Sequence, residues 1–92
     1  MKARRGDIAD EYVEDGQAAV LVGTEVIVLS PLATVLLGLI GDDWVDARVV
    51  TKELVRAFGE PAVPLSADAA TAEALRALAA RRLVELDEIG EL

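Results

Sequence analysis

The segment 20–41, VLVGTEVIVLSPLATVLLGLIG, limits this chain more than any other. It is long enough to cross a bilayer and holds one charge, Glu25. A spanning helix needs about 20 apolar residues and tolerates charge poorly. The punctuation argues against a span. Gly23-Thr24 interrupts the run early, and Ser30-Pro31 interrupts it again, since the residue before a proline avoids helical geometry. Residues 25–29, EVIVL, are rich in β-branched side chains, whereas 31–40, PLATVLLGLI, are too short to span. Ser30 suits a helix N-cap and Pro31 the first helical position. The stretch therefore reads as adjacent buried elements, with no membrane role.

Turn signals extend the pattern. Asp15-Gly16 predicts a two-residue hairpin between residues 9–14 and 17–22. Gly23-Thr24, with glycine first, predicts a second one leading into 25–29. Together they give a three-stranded antiparallel meander. A helix over Pro31–Ile40 follows and stops at Gly41-Asp42-Asp43. A second runs from about Val45 to Phe58, its stripe Val50, Leu54, Val55 and Phe58 at helical spacing, and Gly59 and Pro61 end it. EPAVPLS reads as a loop. A third helix runs from about Asp68 to Arg82, striped by Ala72, Leu75, Leu78, Ala79 and Leu83. Val84–Leu86 reads as a short extended piece before an acidic tail. The class is α+β, a winged-helix-like plan with its meander placed first and three helices after it. The 92 residues form one domain, with 1–7 and 87–92 as loose ends.

Composition excludes whole chemistries. The chain has no cysteine and no histidine, so thiolate or imidazole metal sites, disulfides and histidine-based catalysis are impossible. The absence of cysteine fits a reducing cytoplasm. No signal-peptide pattern follows the basic start MKARRG. A net charge of −8 opposes phosphate backbones. Aromatics are only 3%, so the core must be aliphatic. No metal, cofactor or catalytic residue is expected. The acids Asp7, Asp10, Glu11, Glu14 and Asp15 read as solvated strand-edge charge. Trp44, the one tryptophan, reads as a lid between the first two helices.

The two turns also fix which residues share a face. Val13, Ala18, Val20, Ile27 and Leu29 share one; Tyr12, Ala19, Leu21, Val26 and Val28 share the other. Both faces are apolar, and Leu29 at the helix junction assigns the Ile27 face to the core. The other face is left for a homodimer or enzyme contact. The short apolar strand 25–29 is an edge, which is an aggregation hazard unless covered or used for β-augmentation. Arg76, Arg81 and Arg82 stand out on or near the third helix. Arginine forks suit carboxylates; cations also favour helix C-termini, the better reading for Arg81.

These features together make the chain resemble the PqqD-like proteins, the RiPP recognition elements. The hairpin VEDGQAAVLVGTEVIVL runs into a helix through Leu29-Ser30-Pro31-Leu32-Ala33. The helix TVLLGLIGDD ends in glycine and acid, and AEALRALAARRLVEL closes the pattern. The resemblance covers residues 8–86; the family usually has Asn where this chain has Ser30. It implies a peptide chaperone, without enzymatic activity, that binds the leader of a ribosomally made precursor peptide. The modifying enzyme would be a radical-SAM protein or a lasso-type protease or cyclase. It further implies that the leader adds as a strand between residues 25–29 and the third helix. The contact residues would then be Glu25, Val26, Ile27, Val28, Ala72, Leu75, Arg76, Ala79 and Arg82. The competing readings are a winged-helix DNA-binding protein and a structural dimerisation protein. A small carboxylate enzyme lacks any grouped pair of acids.

Overall fold

The structure is a computed structural model and describes residues 1–62 and 66–88. In chain order its elements are β1 (Lys2–Arg5), β2 (Asp10–Glu14), β3 (Gln17–Val22), β4 (Glu25–Val28), α1 (Pro31–Gly38), β5 (Val45–Asp46), α2 (Ala47–Phe58), α3 (Ala67–Ala80) and β6 (Val84–Asp87). The class is α+β, with two antiparallel three-stranded sheets ordered β2-β3-β4 and β5-β1-β6.

The expected meander is present. Asp15 and Gly16 both have positive φ, 54° and 78°, as a type I′ turn requires. Gly23 has φ 60° at the first central position of the second hairpin, the type II′ pattern. The register pairs Tyr12 with Ala19 and Val20 with Ile27. Ala18, Val20, Ile27 and Leu29 are buried among the helices, whereas Tyr12, Val26 and Val28 are exposed. Val13, on the core side near the hairpin tip, also stays exposed.

A side chain completes the meander where β4 ends. Leu29 N–H donates to the Ala18 carbonyl at 2.8 Å, and Ala18 N–H donates to Thr34 Oγ1 at 2.9 Å. The helix α1 therefore supplies the acceptor that a longer β4 would have provided. Ser30 caps α1, accepting from Ala33 N–H at 3.1 Å, with Pro31 at its first turn. No helix among the described residues is long and apolar enough to cross a membrane.

Residues 1–7, expected as a loose end, instead contribute the central strand of the second sheet. β1 pairs with β5 on one side and β6 on the other, and Ala3 is completely buried. Its cations meet acids across the sheet. Lys2 stands opposite Asp46 and Asp87, and Arg4 binds Glu85 at 3.1 Å. The helix α2 starts at Ala47 because Val45–Asp46 are drawn into this sheet, with Asp46 capping Arg48 N–H at 2.9 Å. Trp44 is not a lid between α1 and α2: it is 42% exposed, with the Arg4 guanidinium 4.5 Å from its ring centroid. The expected loop EPAVPLS and acidic tail fall partly on residues 63–65 and 89–92, outside the described residues. Leu36, Leu37, Leu75, Leu83, Val20 and Val50 form the heart of an aliphatic core.

Candidate functional site: the β4 edge

In a two-residue hairpin the flanking residues exchange both backbone bonds. Val22 and Glu25 flank the second turn. The Leu29–Ala18 bond keeps the same alternation four residues on. Glu25, Ile27 and Leu29 therefore turn their backbone groups toward β3. Val26 and Val28 turn theirs outward, and β4 is the last strand of its sheet. Among the described residues nothing pairs with them. Their side chains are 66% and 69% exposed.

At the Glu25 end of this edge a cleft of about 360 Å³ opens between the hairpin and the end of α3. Val22, Glu25, Ala80, Arg81 and Arg82 line it. It adjoins a hollow of about 530 Å³ that shares Val22 and Arg82 and reaches Gly6, Asp7 and Ala79. Arg82 holds its place through an unusual backbone. Its φ is 67°, in the left-handed region where glycine normally ends a helix. Arg82 N–H donates to the Ala79 carbonyl and Leu83 N–H to the Leu78 carbonyl, each at 3.0 Å. This is the Schellman arrangement, with the apolar pair Leu78 and Leu83 beneath it. Neither Arg81 nor Arg82 makes an ion pair among the described residues, although Glu25 shares their cleft.

The structure thus places Glu25 and Arg82 in one cleft and Ala79 in the hollow beside it, while Val26 and Val28 lie farther along the open edge and line neither. Ile27 and Leu75 are buried in the core, so their side chains are not open to a ligand. Ala72 lies elsewhere, lining a hollow with Asp46 and Arg48. Arg76 is already bound to Glu88 at 2.7 Å. Arg81, which the sequence assigns to the helix terminus, does stand in the cleft. The sequence signal for Arg82 is subtle: two arginines occupy the helix end, where a glycine would be ordinary. The acidic cluster does not converge on a cation site: among the described residues no three carboxylates gather, and Glu11 is bound by Arg5. A separate apolar hollow lies between α2 and α3, lined by Leu54, Phe58 and Ala70, away from β4. Comparison with protein-family models, with curated proteins and with solved structures finds no match.

Proposed function

We propose that this chain is a PqqD-like peptide-recognition module that binds the leader of a ribosomally made precursor as a strand added to β4. The single observation that carries this reading is the outward backbone of Val26 and Val28, unpaired among the described residues, on an exposed apolar edge. Natural sheets usually cover, charge or bend such edges. An edge left flat and open is suited to β-augmentation, in which main-chain bonds give affinity and alternate side chains give specificity. Arg81 and Arg82 at one end suit a carboxylate in the peptide, and the left-handed backbone at Arg82 keeps a cation there at some cost in strain.

On this reading the module does no chemistry itself and presents the peptide to a radical-SAM protein or a lasso-type protease or cyclase. Its place is the cytoplasm, where ribosomal products are made. A DNA-binding reading has no comparable support, because only Arg81 and Arg82 just past α3 offer cations without an ion pair there among the described residues, within a chain of net charge −8.

The test is a fluorescence-polarisation titration of a labelled precursor leader against the wild type and Val28→Pro. Proline removes an outward N–H that a bound strand would need. Saturable binding that the folded variant loses supports the reading. Equal binding by the two proteins, or binding of random duplex DNA in place of the leader, overturns it.

A further inference from the structure

The sheet face turned away from the helices is apolar at its centre and acidic along one margin. Tyr12 lies opposite Ala19, which lies opposite Val28, and Leu21 lies opposite Val26, so the five side chains form one patch. A hollow of about 230 Å³ sits within it, between Tyr12, Leu21 and Val26. Asp10 and Glu14 flank Tyr12 on the same face of β2, and no lysine or arginine shares that face. Exposed apolar side chains gathered in this way mark a protein contact.

Charge selects among occupants. A second copy would bring the same carboxylates and the same excess of negative charge, with no cation on the face to answer them. We propose that this face docks a partner protein whose contact surface carries an aliphatic or aromatic centre and a lysine or arginine rim set against Asp10 and Glu14. That the partner is the modifying enzyme rests on the peptide-binding reading; the surface chemistry does not. A strand added at β4 would continue this face, laying its alternate side chains beside Val26 and Val28. Peptide and partner would then touch, and each would tighten the other's binding by the same factor.

The experiment places a photo-crosslinking p-benzoylphenylalanine at Tyr12 in the producing cells, with Val49 on α2 as the control position. The protein captured from Tyr12 is purified and titrated against the wild type, a Tyr12→Ser/Leu21→Thr variant and an Asp10→Asn/Glu14→Gln variant. The first variant should lose about tenfold in affinity. The second should lose about threefold, a loss that shrinks at high salt. Should the first variant melt early, the second still decides. Capture of only a second copy, equal capture from Val49, or unchanged affinity in the carboxylate variant overturns the proposal. Leader titrations on the same variants separate the two readings. Intact leader binding with no protein contact defeats only this inference. A protein contact without leader binding defeats only the function proposed above.

Discussion

The carbonyl oxygen of Arg82 occupies the space that a side-chain carbon on Gly6 would need. The two chain segments are locked there, since Gly6 N–H also donates to the Leu83 carbonyl at 2.9 Å. The obstacle is backbone and cannot rotate away. Gly6→Ala should destabilise the protein by about 2–3 kcal/mol, within the range for overpacking at a rigid site. Urea denaturation measures it, and a change within error would mean that β1 does not enter the sheet as described.

Arg82→Gly should act in two directions at once. Removing the side chain relieves the left-handed backbone and should raise stability by roughly 1 kcal/mol. The same change removes a cation from the cleft and should weaken binding of an acidic leader. Thermal melts and leader titrations on one preparation read both signs. A variant that is less stable would show that the side chain, not the backbone, matters to the fold.

Ile27→Pro and Val26→Pro should differ sharply in stability. Ile27 faces β3 with its N–H and is buried, so proline there breaks the ladder and the core, costing about 3 kcal/mol or more. Val26 faces solvent with both backbone and side chain, so its proline variant should stay folded. Circular dichroism melts compare them; equal losses would show the alternation to be wrong.

Thr34→Val tests the junction of α1 with β3. Valine keeps the shape but removes the acceptor for Ala18 N–H. Leaving that part-buried donor unpaired should cost about 1–2 kcal/mol. Hydrogen exchange at the Ala18 amide should speed up relative to its neighbours; unaltered protection would mean that water or another group serves as well.

Asp46 links acid stability to the start of α2. The side-chain bond from Arg48, joined by Arg48 N–H, lowers its carboxyl from the ordinary 3.8 to about 2. A folded value below the unfolded one means the stabilisation is fully present above about pH 4 and is lost as pH falls through 2. The gap in urea midpoint between wild type and Asp46→Asn should therefore be wider at pH 5 than at pH 2. A gap that does not narrow in acid would remove Asp46 from the acid response.

The first sheet was legible because its determinants are local. Asp15-Gly16 and Gly23-Thr24 specify turns, and period-two alternation then assigns Ile27 to the core and Val26 to the outside. β1 was not legible, because Lys2, Arg4 and Arg5 carry no strand pattern of their own. The acids opposite Lys2 and Arg4, namely Asp46, Asp87 and Glu85, are distant in sequence. Which residues of β4 face the core and which face outward was legible, because that depends only on strand alternation. The candidate site was misread on α3, where a helical stripe does not tell which turn faces β4. Leu75 went to the core, Ala72 to another hollow, and Arg76 to Glu88.

The position of β1 also sets an order of events. Lys2 pairs with Asp87 and Ala3 with Leu86, so the second sheet joins strands that lie on either side of the meander and all three helices in sequence. Contacts of such sequence separation carry the largest loop-closure entropy and form late, whereas the meander and α1 need only near neighbours. On a translating ribosome the β4 edge would therefore be shaped before β6, which closes the second sheet, has emerged. Nascent protein would pass through a state with a formed β4 edge and an unsealed core.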